Sequence, residues 1–149
     1  MSRKIVHVIG TGTIGEPLIG LLCDFKNELG IDDVTFHKHT PLTTDRSKVK
    51  SLVKRGARLT SHEEKIDGFN NIGLKVEFTA DAALDRASVV IDCTPKGFGH
   101  ENKKKYYEHH LNNTLGFIAQ GSEFGFGKPY ARGVNDETLI SGEDRFIQV

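Results

Sequence analysis

Only two cysteines, Cys23 and Cys93, occur in the sequence. They are too few for a disulfide framework and fit a reducing compartment. No apolar run approaches the length of a membrane span, and Met1-Ser2-Arg3-Lys4 leads directly into a strand with no signal-peptide pattern. The expectation is a soluble cytoplasmic protein with no membrane partner. Neither sign of charge is in excess, with 20 Lys plus Arg against 20 Asp plus Glu. No overall basic field therefore points to nucleic acid. The 7 histidines show no metal-ligand spacing, so no metal site is expected. Internal repeats and low-complexity segments are absent. The 149 residues, 37% hydrophobic with 16 glycines, suit one globular domain with a real core.

Alternation of strands and helices dominates the pattern. Ile5–Ile9 is a short apolar run ending at a glycine, as in a buried parallel strand. Ile14, Leu18, Leu21, Leu22, Phe25 and Leu29 follow at helical spacing, with Pro17 in the first turn and Gly30 as the stop. A strand at Val34–His37 precedes a helix opened by Thr44-Asp45, with Val49, Leu52 and Val53 on one face and Gly56 ending it. Further along, a short helix is expected over His62–Asn70 and a strand over Leu74–Thr79. Another short helix over Asp81–Ala87 would be capped by Asp81. The remaining expectations are strands at Val89–Cys93, Leu115–Ala119 and Phe146–Val149, and a helix over Asn102–His110. This order predicts an α/β fold, a Rossmann-type doubly wound and mostly parallel sheet with right-handed crossovers.

The first strand and helix enclose Gly10-Thr11-Gly12-Thr13-Ile14-Gly15, a G-x-G-x-x-G run. Alone the run is a weak signal, but a strand before it and an amphipathic helix after it supply the required context. Gly10 permits the tight turn, Gly12 lets a pyrophosphate approach the backbone, and Gly15 lets the helix pack on the strand. The free N–H groups and positive end of the helix would meet the phosphates, making Gly10, Gly12, Thr13, Ile14 and Gly15 candidate cofactor-binding residues. A glycine-rich bend without a ligand is the alternative.

NAD-specific sites place a carboxylate about twenty residues after this turn, on the ribose 2′-hydroxyl. Here the stretch is His37-Lys38-His39-Thr40-Pro41, with a cation and a hydroxyl but no acid. Asp32 and Asp33 fall at the other end of that strand. Lys38, His39 and Thr40 are therefore candidates for a 2′-phosphate, with Arg46 as a secondary one and NADP preferred over NAD. Solvated loop residues are the plainer reading of Lys38 and His39. The cluster Arg46, Lys48, Lys50, Lys54, Arg55 and Arg58 reads as a solvated face whose front end could help hold such a phosphate.

Two further segments end strands at the carboxyl edge, where ligands of open α/β sheets bind. The first is Val90-Ile91-Asp92-Cys93-Thr94-Pro95-Lys96-Gly97-Phe98-Gly99 and the second Gln120-Gly121-Ser122-Glu123. Thr94, Pro95, Gly97, Gln120 and Gly121 are accordingly cofactor-binding candidates. Cys93 has no activating partner in the sequence and reads as a small buried thiol, so no catalytic residue is expected in the chain.

In the order GTGTIG, HKHTP, IDCTPKGFG and IAQGSE, the sequence resembles the archaeal-type (type II) glyceraldehyde-3-phosphate dehydrogenases, from Val6 to Val149. The D-C-T-P-x-G-x-G and Q-G-x-E runs carry most of the resemblance. Lys38 matches the family's lysine, Thr40 is displaced by one position, and Ser122 stands where a second glycine is common. The resemblance implies binding of NADP or NAD for hydride transfer, and a homo-oligomer, a tetramer in the family and a dimer for this chain. In that family the strand resembling Phe146-Ile147-Gln148-Val149 is followed by a Ser-Cys-Asn-Thr segment with the nucleophilic cysteine, and later by a histidine base. Neither is present, so the sequence is expected to be a truncated nucleotide-binding half that lacks its catalytic partner half. An aspartate-semialdehyde or homoserine type of dehydrogenase, or a stand-alone nucleotide sensor, are the alternative readings.

Overall fold

A computed structural model describes residues 2–149, leaving Met1 of the expected N-terminal lead outside them. Its frame is an eight-stranded sheet in the order β4-β3-β2-β1-β5-β6-β8-β7, with every neighbouring pair parallel. The strands are β1 (Ile5–Ile9), β2 (Asp33–His37), β3 (Arg58–Ser61), β4 (Phe78–Thr79), β5 (Val89–Asp92), β6 (Gly116–Ala119), β7 (Lys128–Pro129) and β8 (Phe146–Gln148). The helices are α1 (Gly15–Asp24), α2 (Arg46–Lys54), α3 (Ile66–Asn71), α4 (Ala80–Arg86) and α5 (Phe98–Lys105). This is the Rossmann-type α/β architecture that the alternation predicts.

Side chains on a strand alternate between faces, and two separate cores result. Val8 joins Ile19, Leu22, Val34, Phe36, Leu52, Leu59 and Phe69 on one face, under α1, α2 and α3. Its neighbour Ile9 joins Leu84, Val90, Tyr107, Phe117 and Phe126 on the other. There Tyr107 stacks on Phe117 at 4.9 Å between ring centres and Phe117 on Phe146 at 5.0 Å, with Phe126 edge-on to Phe146 at 5.7 Å. Each such pair adds about 0.5–1.5 kcal/mol beyond its buried area.

Several local expectations are corrected. Helix α1 ends at Asp24, and a run of turns carries the chain to Gly30. Its buried stripe is Gly15, Ile19, Gly20 and Leu22, whereas Leu21 and Phe25 are 53% and 51% exposed. The Arg55 guanidinium, which pairs with Asp24 at 2.6 Å, lies over Gly20, where a Cβ would meet it. Val53, expected on the apolar face of α2, is likewise exposed. The expected strand over Leu74–Thr79 contracts to Phe78–Thr79. Helix α4 is capped by the Thr79 hydroxyl, which accepts from the Ala82 N–H at 3.3 Å, not by Asp81. The region expected as one helix over Asn102–His110 starts earlier, at Phe98, and breaks after Lys105 into a single 3₁₀ turn.

Candidate functional site

The carboxyl ends of β1, β2, β3, β5 and β6 open onto one cleft of about 770 Å³. At its centre β1 stops at Ile9 and Gly10 turns the chain with φ +101°, a left-handed conformation that glycine adopts without strain. The Gly10 N–H donates to the His37 carbonyl at 3.2 Å, and the Cys93 N–H to the Ile9 carbonyl at 2.8 Å, tying the turn to both neighbouring strands. Gly15 then begins α1. A Cβ on Gly15 would overlap the Gly10 carbonyl oxygen, so only glycine lets the helix start this close to the strand. Gly12 is exposed, with no atom within 4 Å of a Cβ placed on it.

The cleft wall brings together Gly10, Gly12, Thr13, Ile14, Lys38, His39, Thr40, Thr94, Pro95 and Gln120 from four separate loops. Gly15, Gly97 and Gly121 are not on it. Gly15 lies beneath the turn, and a Cβ on Gly121 would face the Val149 carbonyl at 2.9 Å. The Gly97 N–H donates to Glu123. Gln120 Nε2 donates to the Thr94 carbonyl at 2.5 Å and so bridges the loops after β5 and β6.

Lys38 is not a free cation. Its side chain is 8% exposed and its Nζ lies 2.5 Å from Asp45 Oδ2, holding the Asp45 carboxyl below its usual range. Lys48 also pairs with Asp45, at 3.6 Å, and reaches the glycine turn, its Nζ donating to the Thr11 carbonyl at 3.1 Å. Arg46 is absent from the cleft wall and its guanidinium sits beside Gly73. Asp33, at the far end of β2, is buried between Arg86 at 3.0 Å and Arg58 at 3.3 Å, a clamp on the opposite edge from the cleft.

Asp92 ends β5 fully buried and accepts four hydrogen bonds: from the Thr94 N–H at 2.9 Å, the Thr94 hydroxyl, Asn102 Nδ2 at 3.0 Å and the Tyr107 hydroxyl. Those donors offset the cost of burying the carboxylate. Burial and the Asp92 charge push the Tyr107 phenol well up. The same two causes raise the Cys93 thiol to about 11. At neutral pH Cys93 is a protonated thiol, not a nucleophile. Glu123, in the Q-G-x-E run, is wholly buried and accepts from the Gly97 N–H and from the His100 N–H at 3.2 Å. Its carboxylate thus caps α5 from across the sheet, a role that local sequence could not reveal.

Histidines that are dispersed in the sequence converge at the β2 side of the cleft. His7, His37, His39 and His62 all line it. Burial pushes the His7 imidazole down to about 4 and that of His37 to about 3, so both are neutral. His7 Nδ1 sits 2.7 Å from the Thr35 hydroxyl, while His7 Nε2 and His37 Nδ1 are buried without partners.

No protein-family model matches the chain. Individual proteins do. "Glyceraldehyde-3-phosphate dehydrogenase" of Methanobacterium bryantii is 34% identical over 121 residues, covering 80% of this chain and 33% of that protein. Its relatives are archaeal glyceraldehyde-3-phosphate dehydrogenases. The enzyme of that name from Methanothermus fervidus is 29% identical over a 150-residue alignment, covering 91% of this chain and 42% of the relative. That from Methanobacterium formicicum is 32% identical over 106 residues, or 70% and 29%. The chain thus spans well under half the length of these glyceraldehyde-3-phosphate dehydrogenases. Among the described residues no helix is long and apolar enough to cross a membrane.

Proposed function

We propose that this chain is the nucleotide-binding part of a phosphorylating glyceraldehyde-3-phosphate dehydrogenase, holding NADP in preference to NAD in the cleft at the carboxyl edge. The observation that carries it is the exposed Gly12 just before the amino end of α1, on the wall of the cleft of about 770 Å³. There the backbone N–H groups and the helix dipole favour a pyrophosphate. Gly10, Gly12, Thr13 and Ile14 would hold it. Thr94, Pro95 and Gln120 would line the path toward the nicotinamide, which when bound supplies the hydride acceptor. Gly15, Gly97 and Gly121 support the loops instead of touching the ligand.

Preference for NADP rests on the missing carboxylate after β2 and on the ammonium groups there. Lys38 is shared with Asp45, so a 2′-phosphate would compete for it, with Lys48 and the exposed Thr40 hydroxyl beside it. Lys38 lines the cleft, whereas Lys48 touches the turn from outside the cleft wall and shares Asp45 with Lys38. His39 would lie against the adenosine end. Acyl transfer through a thioester needs an activated nucleophile and a base in reach. We assign neither to this chain, since Cys93 is held protonated. In a protein as long as the relatives, a second half would supply both, and the assembled enzyme would be a cytoplasmic homo-oligomer.

Titration calorimetry of the chain with NADP and NAD tests the reading. A charge-assisted phosphate contact is worth about 1.5–3 kcal/mol, so NADP should bind roughly ten- to a hundredfold more tightly. Lys38→Ala and Lys48→Ala should each erase part of that ratio. Equal binding of the two nucleotides refutes the preference, and no binding of either refutes the function.

A further inference from the structure

We infer that His37, His39 and His62 form a binding site for a late first-row divalent metal ion, of which zinc is the natural occupant. The site follows from strand register. Thr60 of β3 pairs with His37 of β2, and the Lys38 N–H donates to the Thr60 carbonyl at 3.1 Å, extending the ladder past the strand end. Two residues on, His62 therefore comes level with His39. His37 ends β2 and His39 lies two residues beyond it in a bend, and both rings reach His62. Three imidazoles thus meet just past the carboxyl ends of two adjacent parallel strands.

The distances agree. The His37 and His62 rings lie 4.8 Å apart and the His39 and His62 rings 5.5 Å apart, both edge-on. One ring nitrogen from each residue lies within 4.8 Å of the others. Nitrogens around a tetrahedral zinc, at about 2.0–2.1 Å from the metal, sit roughly 3.4 Å apart. His39 is exposed and His62 half-buried, so these are the two rings with room to close the difference.

A second observation points to a ligand. His37 is 7% exposed, and its Nδ1 is buried with no hydrogen-bond partner. A buried polar atom without a partner costs about 1–3 kcal/mol, and ligation in this cluster is a way to remove that cost. Imidazole-only donor sets suit zinc, copper or nickel and not the oxygen-seeking magnesium or calcium. Glu64 and Asp81 place negative charge near His62, against the opposing Lys105. All three histidines line the cleft, so the ion's remaining positions face it and can take water or an anion. The inference does not depend on the nucleotide assignment.

Chelator-treated chain is titrated with zinc chloride by calorimetry, alongside His39→Gln, His62→Gln and the surface control His109→Gln. One zinc per chain is expected for the parent and for His109→Gln. Partners that merely orient metal ligands are worth about 10–100-fold in affinity, so losing a ligand should weaken binding at least that much in both His39→Gln and His62→Gln. The tested histidines are exposed and half-buried, and circular dichroism confirms that the variants fold. Absence of zinc binding in the parent overturns the inference, and so does binding that survives both substitutions. Zinc is titrated without nucleotide and NADP is titrated without zinc, which keeps the two readings apart, since either ligand can bind while the other fails.

Discussion

Gly12 and Gly15 stand three residues apart in the same motif, yet the structure assigns them opposite consequences on substitution. A Cβ at Gly12 meets nothing within 4 Å, and its φ lies outside the left-handed region. Gly12→Ala should therefore leave stability unchanged or raise it by about 0.4–1 kcal/mol through loss of unfolded-state freedom. It should also place a methyl where the backbone would approach a pyrophosphate, and weaken nucleotide binding by tenfold or more, equivalent to about 1.4 kcal/mol. Gly12→Val should abolish binding with the fold intact. A Cβ at Gly15 would overlap the Gly10 carbonyl oxygen and come 2.8 Å from the carbonyl carbon, both backbone atoms that cannot swing away. Overpacking of that kind costs about 1–3 kcal/mol or more. At about 2–4 °C per kcal/mol for a domain of this size, Gly15→Ala should melt roughly 2–12 °C lower. The assay pairs thermal circular dichroism with calorimetric titration of NADP for each variant. Unchanged affinity in Gly12→Val, or an unchanged melting temperature in Gly15→Ala, would refute the assignment of these roles.

Other outcomes follow from the buried groups. Glu123→Ala strips α5 of its carboxylate cap and leaves the Gly97 and His100 N–H groups unpaired, so it should cost about 2–3 kcal/mol, read by denaturant unfolding. A wild-type midpoint would show the cap to be idle. His7 is neutral when folded, with its pKa down at about 4 against 6.5 unfolded. The unfolded chain therefore takes up the proton first. Stability is full above pH 6.5 and falls as pH drops toward 4, by about 3 kcal/mol at 1.36 kcal/mol per unit. Unfolding curves in chelator-containing buffer across that window should become shallower in His7→Gln, with His37 carrying the remaining slope, and an equal slope would count against the burial argument. Supplied with glyceraldehyde 3-phosphate, phosphate and NADP, the chain should produce no NADPH. Turnover that vanished in Cys93→Ser would reverse the reading of that thiol.

The sheet was legible wherever a strand is apolar or ends at a glycine, as at Ile5–Ile9 and Val89–Asp92. Strand β3 was not, because Arg-Leu-Thr-Ser carries one apolar residue. Its polar side chains are consumed internally: Arg58 pairs with Asp33, and the Thr60 and Ser61 hydroxyls donate to the Phe36 and Lys38 carbonyls. Strand β7 is a two-residue edge containing Pro129, tolerated there because an edge residue needs no ladder donor. At the cleft, the glycine turn could be read from its spacing, since a turn is a local object. The Glu123 cap and the convergence of His37 with His62 depend on which strands lie side by side. Residues separated by 26 and 25 positions in the chain carry no mark of that adjacency.

Strand β7 precedes β8 in the chain but lies outside it, since β8 sits between β6 and β7. During vectorial synthesis on a ribosome, the edge of the sheet therefore cannot be laid down in the order in which it is made. Until residues 146–148 emerge, Lys128 and Pro129 have no ladder to join, and Phe117 lacks the ring of Phe146 that stacks on it. The nascent chain must hold the 16-residue span between β7 and β8 open, residues 130–145, and then admit a strand into the gap. Such a step exposes apolar surface and an unpaired edge together, the combination that recruits chaperones. A stalled chain cut just before Phe146 would accordingly be a better chaperone client than one only a few residues longer.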